Sequence, residues 1–203
     1  MGRRLPCNNE FMISRLPAGD FIVWLRKMEA ALEGAESEVP CGDCTACCRS
    51  SHFVHVGPNE TDALAHIPAG LLFPAPGATD GTLIMGYNEQ GHCPMLVDSG
   101  CSIHTHRPQA CRVYDCRVFA ATGVESDKPA VAERVRRWVF NGETSERESV
   151  RSAVEFLAKH ADKLPEEAGP YDATRTAAAA IRIHRLFATE EPSFDEVARE
   201  LRR

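Results

Sequence analysis

The stretch Cys41-Gly-Asp-Cys44-Thr-Ala-Cys47-Cys48 puts four thiols into eight residues, and Cys93, Cys101, Cys111 and Cys116 add four more downstream. Thiolates crowded this closely repel one another and oxidise unless a soft cation holds them. The chemistry on offer is therefore chelation of zinc or iron, an iron–sulfur cluster being one form the iron could take. A Cys-x-x-Cys turn can aim two sulfurs at one ion ~2.3 Å from each. Cysteines at successive x-x intervals also resemble the run that grips a cubane cluster in bacterial ferredoxins. The adjacent pair Cys47-Cys48 adds a constraint. On a helix Cys41, Cys44 and Cys48 would share a face and leave Cys47 about a quarter-turn away, whereas in an extended chain Cys47 and Cys48 would point to opposite sides. Neither geometry lets both serve one ion easily, so more than one metal, or one spare thiol, is expected.

Disulfides are the rival use of these sulfurs. Residues 1–32 carry Arg3 and Arg4 but no apolar segment or small-residue cleavage site of a secretory signal. The expectation is a reducing cytoplasmic setting, where such spacing signals metal or redox chemistry. Cys7 stands apart in an arm without periodicity and reads as a free thiol. His52 and His55 lie close in sequence to the thiols and imidazole is a common ligand, but thiolates already suffice in number, and an exposed strand histidine is the plainer account.

The elements that must position these residues follow from periodicity. Residues 1–17 read as an arm. Asp20 caps an amphipathic helix over Phe21, Trp24, Leu25, Met28 and Leu32 that ends near Gly34. Ser50–Val56 reads as strand-like, Asn59 as the cap of a short helix over Ala63–His66, and the Pro- and Gly-rich residues 68–81 as a loop. Leu83–Tyr87 reads as a strand. Cys93–Val97 and Cys101–His104 form a hairpin about Asp98-Ser99-Gly100, which brings its two cysteines within ligand reach. Cys111 and Cys116 are expected at the start of a short helix, where thiol pKa values fall. Beyond them the chain reads as helical. Ala130–Phe140 is a helix with Arg134, Arg136 and Arg137 on its wet side, and a Ser145/Glu148 capping box opens a long helix striped by Val150, Val154, Leu157, Ala161 and Leu164 and stopped by Pro165. A third helix spans about Asp172–Ala188 with His184 as a core histidine, and a Ser193/Glu196 box caps a fourth. These helices would serve as a scaffold for the thiols or as a surface for a protein partner. The whole is an α+β fold, divided into an N-terminal arm and helix (1–40), a cysteine-rich metal module (41–120) and a helical region (121–203).

Composition narrows the function. With 203 residues, 43% of them hydrophobic, the chain can bury a core, and its net charge of −6 argues against a nucleic-acid surface. No apolar run approaches the ~20 residues of a membrane span.

Taken together, Cys41-x-x-Cys44-x-x-Cys47-Cys48, Cys93-Pro94-x-Leu96, Gly100-Cys101-x-Ile103-His104, Arg107-Pro108, Cys111-Arg112 and Asp115-Cys116 resemble the CxxCxxCC family of zinc- or iron-chelating bacterial proteins, whose domain is shared with flagellin lysine N-methylases. The resemblance runs from Cys41 to Cys116. One departure is His104, where the family often has Tyr. The resemblance implies metal chelation; it does not by itself imply methylase activity, since no methyl-donor site is visible. Nucleotide-binding glycine loops and HExxH are also absent. Asp115, Glu60, Arg107 and Arg112 could act as acid, base or anion clamps, or as salt-bridge residues, with Asp115 orienting a ligand. Two functions stay open: a non-enzymatic metal-binding protein, and an iron- or iron–sulfur-dependent redox or protein-modifying enzyme.

Overall fold

The computed structural model describes residues 14–37, 39–98, 100–142, 144–164 and 172–202. Cys7, most of the expected arm, Ser99 of the expected turn and Pro165 lie outside them. The fold is α+β. Its first part runs β1 (Leu16–Asp20), α1 (Phe21–Leu32), a 3₁₀ turn at Cys47–Arg49, β2 (Val54–Val56) and α2 (Thr61–His66). Then come β3 (Leu72–Pro74), β4 (Leu83–Met85), β5 (Leu96–Val97), β6 (Gly100–Cys101), α3 (Gln109–Val113), α4 (Arg117–Thr122), α5 (Pro129–Val135) and β7 (Trp138–Asn141). Helices α6 (Ser145–Lys159), α7 (Ala173–Ile183) and α8 (Phe194–Leu201) follow. Among the described residues no helix is long and apolar enough to cross a membrane.

Two expectations fail at one place. Leu16–Asp20 is a strand rather than the end of an arm, and it pairs in parallel with Trp138–Asn141, which is a strand rather than the end of a helix. Trp138 and Phe140 are buried while Val139 and Asn141 face out, the two-residue alternation of a strand. A bulge between Pro17 and Gly19 breaks the pairing, with Gly19 at φ +97°, a left-handed conformation that glycine adopts without a steric penalty.

Helix α1 starts where β1 ends because the Asp20 carboxylate accepts the Val23 N–H at 2.9 Å, as its sequence predicts. The buried face of α1 meets Phe140, whose ring lies 4.9 Å from Trp24 and 5.5 Å from Phe21. Val118 and Phe119 of α4, Val150 of α6, and Ala177 and Ile181 of α7 complete this core. A second core joins α6, α7 and α8 through Phe156, Leu157, Ile183 and Val197. His184 belongs to the buried set, 3% exposed, its Nδ1 2.6 Å from the Ile181 carbonyl, as expected of a satisfied core histidine.

Helix caps were read with mixed success. The Ser193/Glu196 box is present, and Asp172 caps α7 by accepting from Arg175 N at 2.8 Å. At α6 the cap is Thr144, accepting from Arg147 N at 3.4 Å, and Ser145 is already helical. Two adjacent hydroxyl residues offer the same signal, and the earlier one takes the position. At α2 the N-cap is Glu60 rather than Asn59. Its carboxylate accepts from Gly57 N at 2.7 Å and from Gln109 N at 2.5 Å, pinning α2 to the start of α3.

A third, smaller core lies under the cysteine-rich segments. Strand β4 pairs antiparallel with both β2 and β3, so the expected loop over residues 68–81 contains a strand. Val54, Val56, Met85, Ala63, Ile67 and Ile103 are its buried members. Gly91 helps to hold this region to the first cysteines. Its carbonyl accepts the Ser51 N–H at 2.8 Å, its φ is +76°, and a Cβ there would fall 2.4 Å from Ser51 Oγ. The variant Gly91→Ala is expected to lose about 1–2 kcal/mol from the left-handed backbone conformation alone, measured by denaturant unfolding. A loss below a few tenths would show that the backbone relaxes without cost.

Candidate metal centre

Four short segments carry the eight thiols, and each is positioned by identifiable contacts. The first is a set of turns: Cys44 N donates to the Cys41 carbonyl at 3.1 Å across Gly42 at φ +55°, and the 3₁₀ turn begins at Cys47. Tight turning is what the Cys-x-x-Cys spacing predicts. The sulfurs of Cys47 and Cys48 lie 4.0 Å apart. The second segment is tied to the first, because Cys93 N donates to the Cys48 carbonyl at 2.7 Å. Cys93 then leads into the β5–β6 hairpin, where Cys101 sits opposite Leu96.

The last two thiols do not share one helix. Cys111 lies within α3, while Cys116 is the N-cap residue of α4. Asp115 marks the break. The residue is 4% exposed, and its carboxylate accepts from Arg117 N at 2.9 Å, from Arg117 Nη2 at 2.7 Å and from Trp24 Nε1 at 2.9 Å. Arg117 also donates to the Ala18 carbonyl at 3.2 Å. A buried ion pair therefore fastens the Cys111–Cys116 segment to α1 and β1, which agrees with a structural role for Asp115.

Electrostatic influence sorts the thiols. Cys41 is affected by Cys44 and Cys47, and Cys116 by Cys41 and Cys44. Cys93 is affected by Cys101 and Cys47, and Cys111 by Cys47, Cys93 and Cys101. Electrostatic influence thus links Cys41 with Cys44, Cys47 and Cys116, and Cys111 with Cys47, Cys93 and Cys101. All eight are free thiols. Among the described residues no three of them lie mutually within 4.8 Å. Sulfurs held tetrahedrally ~2.3 Å from one ion would be about 3.8 Å apart, so the thiols are brought near one another but not closed on a single point.

The expected lowering of thiol pKa values is reversed. Desolvation, reinforced by neighbouring thiols, pushes Cys41 up to about 11 and Cys111 up to about 12. Cys111 stands at the surface by residue area, but the three thiols around its sulfur all act in the same upward direction. Cys116 rises to about 12 for the same principal reason, against the opposing effect of the Trp138 Nε1–H, which reaches its sulfur at 3.4 Å. Cys47 is raised by its hydrogen bond with Cys48 and then by burial. Cys116 caps a helix of six residues, whose few aligned peptides do not offset desolvation.

The donor set suits zinc or iron, since soft thiolates are the ligands both retain. Polar atoms beside it point the same way: Tyr114 Oη and His52 Nε2 are buried without a hydrogen-bond partner, and their rings lie 5.3 Å apart. Tyr114 is influenced by both Cys116 and Cys47, which places it near the two thiol groups. His55 projects outward from β2, the plainer of its two readings, and His104 is exposed with its ring 3.1 Å from the Arg107 guanidinium. Arg112 is engaged by Glu36 at 2.9 Å and by two backbone carbonyls.

Two neighbours of the site escaped the sequence reading. Arg134 is not on a wet face: it stacks 4.8 Å from the Trp138 ring and donates to the Cys41 carbonyl at 3.1 Å. Arg134 also lines an open cleft of about 490 Å³ shared with Cys41, Asp43, Cys44 and Glu133, giving one thiol group a route to solvent. The signal for Trp138 lay in the Trp-Val-Phe alternation, overridden by the helix-forming residues before it.

Residues 40–134 match one family model, CxxCxxCC, described as a putative zinc- or iron-chelating domain. No curated protein and no solved structure matches the chain.

Proposed function

From the match of residues 40–134 to the CxxCxxCC family model, we propose that the protein binds zinc or iron through Cys41, Cys44, Cys47, Cys48, Cys93, Cys101, Cys111 and Cys116, in two neighbouring subsites that meet at the Cys47–Cys48 pair. The observation that carries the reading is the convergence of thiols from separate segments: the Cys47 and Cys48 sulfurs lie 4.0 Å apart, Cys93 N donates to the Cys48 carbonyl at 2.7 Å, and Cys111 is influenced by Cys47, Cys93 and Cys101. Cys41, Cys44 and Cys116 would supply one subsite, and Cys93, Cys101 and Cys111 the other. Bound metal would neutralise the thiolates, and Arg134 beside Cys41 and the Trp138 N–H on Cys116 would moderate the charge that remains.

Elemental analysis with an ultraviolet–visible spectrum, on protein purified anaerobically without a metal-affinity tag, tests this directly. Near-stoichiometric zinc without visible absorbance would mark a structural or zinc-handling centre. Iron with acid-labile sulfide and broad absorbance near ~400 nm would mark a thiolate-held cluster and bring redox or protein-modifying chemistry forward. Protein that neither contains nor takes up either metal would end the proposal.

Proton release gives an independent check. Thiols whose pKa lies well above neutrality must lose a proton to become ligands, so zinc uptake in weak buffer at pH 7 is expected to acidify the solution. The same competition weakens apparent affinity as pH falls. Uptake without proton release would exclude the thiols as ligands.

A further inference from the structure

A second set of metal-ligating side chains converges away from the thiols. Asp62 and His66 stand four residues apart on α2 and so share one face of the helix. His106 closes the 3₁₀ turn that follows β6, its N–H donating to the Ile103 carbonyl at 2.8 Å. Ala63 and Ile103 are both buried in the third core, which fixes the helix and the turn beside each other.

The donor atoms already sit at ligand-to-ligand separations. His106 Nδ1 is 2.9 and 3.0 Å from the two Asp62 carboxylate oxygens. His66 Nδ1 is 3.6 Å from Asp62 Oδ1 and 2.8 Å from the Asp62 carbonyl. The two imidazoles stack face to face, centroids 3.6 Å apart and planes 5° from parallel. One donor from each residue lies within 4.8 Å of the other two. Tetrahedral ligands ~2.1 Å from an ion are about 3.4 Å apart, a separation these donors approach; to bind one ion the two imidazoles would tilt out of their parallel stack and release their hydrogen bonds to Asp62. The hydrogen bond from His106 holds the Asp62 carboxyl below the usual carboxylate range, keeping it ionised at neutral pH. The nearby Arg112 charge, which opposes cation binding, is drawn toward Glu36.

We propose that Asp62, His66 and His106 form a metal site separate from the thiols, taking a divalent first-row ion such as zinc through two imidazole nitrogens and one carboxylate and leaving its remaining positions to water. The two kinds of donor sort metals differently: thiolates retain the softer ions, while imidazole with carboxylate also accepts harder ones. Side-chain exposures of 38–62% leave this site open to solvent, so its ion exchanges readily.

Cobalt(II) alone, added to the full chain, separates the two sites. Only sulfur-bound cobalt gives intense near-ultraviolet thiolate charge transfer, whereas total bound cobalt follows from elemental analysis. The wild type is expected to bind one equivalent beyond the sulfur-bound ions. The double variant His66→Ala/His106→Ala should lose that equivalent with its charge-transfer absorbance and circular dichroism unchanged. Unchanged total stoichiometry in the variant, or joint loss of the equivalent and the absorbance, would overturn the proposal. Should that variant not fold, Asp62→Asn reads the same loss. In the wild type, zinc should shift the ring-nitrogen resonances of His66 and His106, and unshifted resonances at saturating zinc would likewise refute the site. These readouts hold whether or not the thiols bind metal.

Discussion

Asp115→Ala is expected to lower the stability of the protein by about 3–5 kcal/mol, the range for breaking a buried ion pair from one side. The Asp115 and Arg117 side chains are only 2% and 10% exposed. Truncation would leave the buried guanidinium without its carboxylate and the Trp24 N–H without its acceptor, and each loss carries a desolvation cost that no new contact repays. Asp115→Asn should lose less, because the amide oxygen can still accept from Trp24 or from Arg117. Urea unfolding of the three proteins gives the comparison, and a loss under 1 kcal/mol for the alanine variant would show that α1 and the Cys111–Cys116 segment are held together by packing alone. Metal content should fall as well, since the break at Asp115 sets where Cys111 and Cys116 stand relative to each other.

Serine replacement of the thiols, one at a time, should split metal content by subsite. Loss of Cys41, Cys44 or Cys116 is expected to deplete one subsite, loss of Cys93, Cys101 or Cys111 the other, and loss of Cys47 or Cys48, whose sulfurs lie 4.0 Å apart, both. The energetic effect is large because metal-binding free energy, roughly 10–16 kcal/mol in small thiolate modules, is also folding free energy. A chelator strong enough to strip the metal should therefore loosen the 41–116 region while α6, α7 and α8, which share their own core, keep their helicity. The Cys7→Ser protein serves as the control, with unchanged metal content. Full metal retention in all of the other variants would sink the assignment.

How much of this could be read from the chain depends on how local each determinant is. The start of helix α1 was legible to the residue, and its end to within two, because Asp20 caps it and its apolar positions recur at three- and four-residue steps, all within one segment. The β5–β6 hairpin was legible in its place but not in its extent: the strands are Leu96–Val97 and Gly100–Cys101, so Cys93 and His104 fall outside the pairing that was expected to include them. Strand β1 was not legible: Leu-Pro-Ala-Gly-Asp contains no β-branched residue, and its pairing with β7 depends on a partner more than a hundred residues away. The thiols announced themselves by type and spacing, yet which of them meet depends on where the hairpin and α3 deliver Cys101 and Cys111. The pKa values of Cys111 and Cys116 rise rather than fall because desolvation outweighs the helix start that was expected to lower them. His66 and His106 gave no joint signal, being forty residues apart, although Asp62 and His66 already carried the four-residue spacing of a shared helix face.

The parallel pairing of β1 with β7 has a kinetic meaning. It closes a loop that contains all eight thiols of the candidate metal centre and the Asp62–His66–His106 group, so β1 waits for its partner until that whole stretch has been made. Closing such a loop costs entropy that grows with the logarithm of its length. An ion captured by Cys41, Cys44 and Cys116 would cross-link the loop from within and shorten the path that β1 must search. Metal supply during synthesis would then set how fast the amino-terminal strand finds its place, as well as how firmly the finished protein holds together.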